Sequence, residues 1–142
     1  MPEFILDHGT SEASKAFRAL DSFTQGYIEA AFFTSTGPDN AEEGLGEASF
    51  AEIAPASLTE VMAECAKFQT DNAYLLERAC ERSDYDWHRA GVDYWLTRNG
   101  HGAGFWDRKE LEPDNLGDRL SDACRHHESN MYRGDDGLIY FT

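Results

Sequence analysis

The segment from Phe23 to Thr34 constrains the fold of this chain more than any other. At 3.6 residues per turn, apolar side chains cover nearly the whole circumference of the predicted helix, and only Gln25 and Glu29 form a polar edge. A helix that is apolar on almost every side is buried at the centre of a domain. Ser22 begins a Ser-x-x-Gln sequence, which predicts a capping box at the start of this helix. Other elements are therefore expected to pack around it.

The apolar periodicity and the capping signals predict four further helices. They are expected over residues 11–20, 57–82, 86–98 and 115–127, the second of them opened by the capping box Ser57-Leu-Thr-Glu60. The turn sequence Gly134-Asp-Asp-Gly137 separates two short strand-like runs and predicts a β-hairpin, which must pack on the helices or pair with residues 4–6. The sequence thus predicts a mainly α fold, a single domain over residues 1–142 built as a bundle of four to five helices with a small C-terminal β-hairpin.

The predicted helix 86–98 carries a narrow polar edge and one glycine. The edge consists of Asp86, Arg89, Asp93 and Thr97. The one-turn spacing of Arg89 and Asp93 suits an ion pair on a helix surface. Gly91 has no side chain, so we expect another helix to pack closely against this position.

The acidic residues are concentrated in one half of the chain. The net charge is −15, and nine acidic residues but no Lys or Arg lie between Arg18 and Lys67. This charge repels phosphate backbones and anionic membranes, so we expect no direct binding to nucleic acid or to a membrane. The first residues lack the features of a signal peptide, and the three cysteines have no metal-type spacing. The sequence therefore indicates a cytoplasmic protein with reduced thiols.

Residues 35–50 are predicted to form a long acidic loop rich in glycine. Loops of this length are often functional. Its acidic residues form the candidate patch for a basic partner: Asp39, Glu42, Glu43 and Glu47. The alternative is that the charge serves solubility alone.

The most distinctive motif is Trp95-Leu-Thr-Arg-Asn-Gly-His-Gly-Ala-Gly-Phe-Trp-Asp-Arg108, called the box below. Its three alternating glycines permit close approach of the backbone to a ligand. The candidate binding residues in the box are Trp95, Arg98, Asn99, Gly100, His101, Gly102, Gly104, Trp106 and Asp107. The alternative is a structural turn after a helix, with Asn99 or Gly100 in the left-handed conformation.

The box contains no assembled catalytic set. His101 titrates near neutral pH, and Asp107 or Asp93 could orient its ring, but the box has no Ser or Cys nucleophile. Metal binding requires convergent ligands, and the spacing predicts no such arrangement of His88, His101, His126, His127 and Asp107. The sequence therefore assigns no catalytic residue and indicates neither a metal nor a cofactor.

The box resembles one found in an uncharacterised family of small bacteriophage and prophage proteins. The similarity extends from residues 23–34 through the box to Gly134-Asp-Asp-Gly-Leu-Ile-Tyr140, and so covers most of the chain. Members of that family carry His where Val92 stands here. This departure weakens the hypothesis that a histidine pair binds a metal. The resemblance implies a phage origin and provides no activity.

Two classes of function are consistent with these features. The first is an acidic phage accessory protein that binds and inhibits a host protein with a basic surface. The host protein would process nucleic acid or act in defence, so that this chain would resemble an anti-CRISPR protein, and mimicry of nucleic acid is one way in which it could inhibit. The second is a small enzyme or ligand-binding protein that uses the loop at residues 99–107. The sequence favours the first and leaves the oligomeric state open.

Overall fold

The structure is a computed structural model, and it describes residues 11–35, 49–81, 84–100, 103–124 and 128–141. Within these ranges the helices are α1 (Ser11–Arg18), α2 (Ser22–Ser35), α3 (Pro55–Asp71), α4 (Ala73–Cys80), α5 (Trp87–Arg98) and α6 (Leu116–Ala123). Two antiparallel strands follow, β1 (Met131–Arg133) and β2 (Ile139–Phe141). Short 3₁₀ turns connect α5 to α6. The predicted mainly α class with a small C-terminal hairpin is confirmed.

Helix α2 lies at the centre of the core and packs most extensively on α5. Two glycines make this approach possible. A Cβ atom at Gly91 would lie 1.8 Å from the carbonyl oxygen of Phe23, and one at Gly26 would lie 2.1 Å from the carbonyl oxygen of His88. The close packing expected at Gly91 is therefore confirmed. Phe33, counted in the apolar circumference of α2, is instead 69% exposed.

The predicted capping box at Ser22 is wrong. Ser22 is already helical, and the carboxylate of Asp21 accepts the backbone N–H of Thr24 at 2.7 Å. The amide of Gln25 donates to the carbonyl oxygen of Leu20 at 2.7 Å. Asp21 therefore caps α2, because its acceptor stands one position earlier and reaches an unpaired N–H of the first turn.

The long helix predicted over residues 57–82 differs at its start and is interrupted within. It begins at Pro55, whose fixed φ and missing N–H suit the first turn, while the hydroxyl of Ser57 accepts the N–H of Phe141 at 2.7 Å. At Asn72 the backbone leaves the helical region, with φ −120° and ψ 24°. The Asn72 amide donates to the carbonyl oxygen of Phe68, which also accepts the backbone N–H of Asn72, so this residue caps the end of the first helix. Two helices, α3 and α4, result.

The hairpin packs on the helices, which is one of the two arrangements that the sequence predicted. Ile139 forms a parallel bridge with Ile53, and its carbonyl oxygen accepts the N–H of Ala54 at 2.8 Å. The ring of Phe141 meets the indole of Trp95 edge to face, with centroids 5.9 Å apart. The other alternative, pairing with residues 4–6, lies outside the described residues. No helix among the described residues is long and apolar enough to cross a bilayer.

Candidate functional site

Trp95, the first residue of the box, belongs to the core. Its indole N–H donates to the hydroxyl of Thr34 at 2.8 Å, and its ring meets that of Tyr27 edge to face at 5.3 Å. The side chain is almost completely buried. Trp95 therefore joins α5 to α2 and does not present a surface to a ligand.

Asn99 and Gly100 end α5. The Asn99 amide donates to the carbonyl oxygen of Trp95 at 2.9 Å, and its side-chain oxygen accepts the N–H of Ser129 at 2.8 Å. Gly100 has φ +63°, so of the two residues considered for the left-handed position the glycine occupies it. Asn99 thus ties the end of α5 to the segment before β1.

Gly104 and Asp107 build the next turn of the box. Gly104 has φ +152°, and a Cβ there would lie 2.1 Å from the Thr97 hydroxyl oxygen. That hydroxyl accepts the N–H of Phe105 at 3.0 Å, and Asp107 accepts the N–H of Gly104 at 3.1 Å. These contacts support the structural alternative for Gly104 and Asp107. The candidates His101 and Gly102 lie outside the described residues.

Trp106 is the described aromatic side chain of the box that faces solvent, with 51% of its surface exposed. It lies beside the start of α6, where Gly117 packs under the backbone of Phe105 and Trp106. Trp106 therefore keeps its place as a candidate binding residue.

The predicted polar edge of α5 is wrong at Asp93. Its carboxylate is buried and receives Nε and Nη2 of Arg108 at 3.0 and 2.5 Å, together with the hydroxyl of Tyr85 at 2.8 Å. Burial raises the pKa of Asp93 by more than these partners lower it. Arg89 pairs with Glu110 at 3.4 Å, not with Asp93. Sequence spacing missed the Arg108 partner because the two residues are fifteen positions apart in the chain and do not belong to the same helix.

Arg98 is the buried cation of the box. Its Nη1 donates to the hydroxyls of Tyr27 and Tyr94 at 2.9 and 3.4 Å, and to the carboxylate of Glu64 at 3.1 Å. The guanidinium also lies 5.3 Å from the centre of the Tyr94 ring. The Arg98 side chain is therefore buried, paired with a carboxylate and in contact with an aromatic ring.

Arg98 lines a pocket of about 360 Å³ between α3, α5 and the end of α6. The rings of Phe68 and Tyr94 stack at 4.1 Å in its wall. Helix α3 contributes Glu64 and Lys67 as well. Sequence reasoning selected Arg98 and missed the α3 residues. The sequence could have indicated these residues, because positions 64, 67, 68 and 71 follow helical spacing and so lie on one face of the helix.

Most of the described Lys and Arg side chains form ion pairs within the chain. The chain has 12 Lys and Arg residues, of which Arg82 and Arg125 lie outside the described residues. Six of the remaining ten pair with carboxylates of the same chain: Lys67, Arg78, Arg89, Arg98, Arg108 and Arg133. The candidate patch formed by Asp39, Glu42, Glu43 and Glu47 falls outside the described ranges.

Among the exposed carboxylates of the described residues, four lie on, or directly after, two helices that pack together, α4 and α6. We call them the α4–α6 acidic face, which consists of Glu77, Glu81, Asp118 and Asp122. An ion pair of 2.6 Å between Arg78 of α4 and Asp114, in the turn before α6, lies next to this face. The packing of α4 on α6 therefore supports the acidic face.

The described cysteines are poor nucleophiles. Burial raises the pKa of the Cys80 thiol to about 11 and that of the Cys124 thiol to about 12, and it raises the pKa of Cys65 further. All three are therefore protonated at neutral pH. Within the described ranges, no group of three or more His, Cys, Asp or Glu side chains is placed to hold a metal ion.

Comparisons of the chain with protein-family models, with curated proteins and with solved structures found no match.

Proposed function

We propose that this chain is an acidic accessory protein that binds a partner protein through that partner's basic surface. The distribution of charge carries the proposal. Six described Lys and Arg residues are paired within the chain, whereas the net charge is −15 and the α4–α6 acidic face is exposed. Complementary charge accelerates association and selects partners by sign.

The spacing on the α4–α6 acidic face suits such a partner. Glu77 of α4 and Glu81, which directly follows the last residue of α4, are four positions apart, and Asp118 and Asp122 are one turn apart on α6. A helical turn rises about 5.4 Å, whereas screening at physiological salt acts over about 8 Å. Neighbouring carboxylates on this face therefore act together on an approaching cation.

Trp106 supplies an anchor beside this surface. It lies next to the start of α6, where Gly117, the residue before Asp118, packs against its backbone, and half of its side chain is exposed. Tryptophan is enriched among the residues that carry most of the energy of protein interfaces, and its ring attracts Lys and Arg side chains. We therefore expect basic side chains of the partner to lie over Trp106.

Two variants with the same change in charge test the location of the contact. The first replaces Glu77→Gln, Glu81→Gln and Asp118→Asn, and the control replaces Glu60→Gln, Glu128→Gln and Asp135→Asn. Binding to a fluorescent poly-lysine peptide is measured over a series of salt concentrations. We expect the first variant to bind severalfold more weakly and with a shallower salt dependence than the control, since only it loses the contact surface.

Equal weakening in both variants would contradict a localised face. Trp106→Ala adds a readout independent of net charge, and an unchanged affinity for poly-lysine would exclude the aromatic anchor. Denaturant unfolding of each variant establishes that it is folded.

We further propose that the partner is a host protein that processes nucleic acid or acts in defence, and that the chain inhibits it by occupying its basic channel. Immobilised protein is incubated with bacterial lysate, and retained proteins are identified by mass spectrometry. We expect basic nucleic-acid-binding proteins, released by salt and displaced by duplex DNA. If captured proteins bind DNA and this chain at the same time, the mimicry is wrong.

A further inference from the structure

Arg98 at the base of the pocket is a fixed, buried positive charge. The hydroxyls of Tyr27 and Tyr94 hold its guanidinium in place. Neither phenol neutralises it at physiological pH, because burial raises the pKa of Tyr94 to about 12 and raises that of Tyr27 as well. A buried charge is stable only beside an opposite charge, so a carboxylate is needed at this position.

Glu64 supplies that carboxylate from the solvent side. Its oxygen lies 3.1 Å from Nη1 of Arg98. The Glu64 side chain is 40% exposed, whereas that of Arg98 is 4% exposed. The anionic half of the pair is thus accessible at the pocket, and it can rotate into solvent while the cation stays in place. Glu64 occupies the position that the carboxylate of a ligand would take.

The other residues of the pocket determine the size and chemical character of the ligand that fits beside this carboxylate. Its volume of about 360 Å³ lies within the range of small-molecule sites, about 300–1,000 Å³. The stacked rings of Phe68 and Tyr94 offer an apolar wall beside Arg98. Lys67 adds a second cation, held by a pair with Asp71 that is exposed on both sides and therefore easily exchanged.

From this geometry we propose that the pocket between α3, α5 and α6 binds a small aromatic carboxylate, which replaces Glu64 on Arg98 and packs its ring against Phe68 and Tyr94. This site is separate from the α4–α6 acidic face, and the proposal does not depend on the proposed partner. Its chemistry is that of a charge-assisted hydrogen bond between a carboxylate and a desolvated guanidinium.

Benzoate and its neutral analogue benzamide are the probes. Binding to the full chain is measured by calorimetry, and the position is mapped by nuclear magnetic resonance shifts of the α3 and α5 amides. We expect benzoate to bind saturably and benzamide to bind at least about tenfold more weakly, because one charge-assisted hydrogen bond corresponds to roughly that factor.

Glu64→Gln tests the exchange directly. It removes the competing carboxylate, so benzoate should bind about tenfold more tightly than to the natural protein. Glu60→Gln is the matched control, one turn earlier on the same helix and exposed, with an identical chemical change. We expect it to leave the affinity nearly unchanged. Lys67→Gln, also on the exposed side of α3, should weaken benzoate binding.

Three results would overturn the site. The first is the absence of saturable benzoate binding in both the natural protein and Glu64→Gln. The second is equal affinity for benzoate and benzamide, which would remove the role of Arg98. The third is an equal gain in Glu64→Gln and Glu60→Gln, which would reduce the effect to net charge. None of these measurements requires substitution of the buried Arg98 itself.

Discussion

Arg108 closes the box onto α5 by a bidentate ion pair with Asp93, whose side chain is almost completely buried. The hydroxyl of Tyr85 donates to the same carboxylate at 2.8 Å. The end of the distinctive motif is therefore joined to the helix that precedes it. This network explains the Arg at the last position of the box without a ligand.

The first prediction concerns this pair. Arg108→Met should lower the free energy of unfolding by about 3–5 kcal/mol, because it leaves the Asp93 carboxylate buried without its counter-charge. Urea denaturation measures the loss. The double variant Asp93→Leu, Arg108→Met should recover much of it, since no buried charge remains. Lys67→Met, at an exposed pair, is the control and should change stability little.

The Arg108→Met variant should also respond differently to pH. Burial already raises the pKa of Asp93, and removal of Arg108 should raise it further. A carboxylate whose folded-state pKa is raised destabilises the protein fully above that pKa, and the penalty declines as the pH falls from it towards the unfolded-state value. The difference in stability between variant and natural protein should therefore shrink at mildly acidic pH. A stability difference that does not vary with pH would show that removal of Arg108 leaves the pKa of Asp93 unchanged.

The second prediction concerns the contact between α2 and α5. Gly91→Ala should cost about 3 kcal/mol or more, since the new Cβ would lie 1.8 Å from the carbonyl oxygen of Phe23 and the two backbones must separate. Gly100→Ala is the comparison. Its Cβ meets open space, but φ is +63°, so only a conformational cost of about 1–2 kcal/mol is expected. Equal losses in urea denaturation would contradict the close packing at Gly91.

The third prediction concerns His88, which lies 2.8 Å from the carboxylate of Glu29. The hydrogen bond to Glu29 raises the pKa of His88, burial opposes it, and Asp86 adds to the rise. Stability from this pair should be fully present below about pH 6.5, the unfolded value, and should be lost as the pH rises through the raised folded-state pKa.

Melting temperatures of the natural protein and of His88→Gln, compared over this range, measure the effect. The advantage of the natural protein should be largest at the acidic end and should decline towards alkaline pH. Glu29→Gln should abolish the same pH-dependent part. Glu60→Gln, at an exposed carboxylate on α3, serves as the control and should keep it. A difference that does not vary with pH would mean that His88 has the same pKa in the folded and unfolded states, which would contradict the prediction.

Periodicity and local chemistry were sufficient to predict the helical class, the central position of α2, the close approach at Gly91 and the hairpin at the end of the chain. These features depend on the spacing of apolar residues and on the sterics of glycine within a few turns of chain. Part of the box was also predictable, because a glycine after a helix indicates a C-cap, and Gly100 adopts that role. The sequence alone therefore determined most of the helical segments, though not the break at Asn72, and which helix is buried.

The tertiary structure decided the partners of the polar residues. Asp93 looks like a surface residue by helical spacing, yet the chain between α5 and α6 brings Arg108 onto it. Ser57 looks like a cap, yet β2 reaches its hydroxyl. Arg98 acquires a pocket only because α3 and α6 border α5. The pairing of polar side chains depends on distances between residues far apart in the chain, and a periodic pattern does not contain these distances. Because a buried polar group must be hydrogen-bonded, it pairs with whichever partner the packing brings within hydrogen-bonding distance.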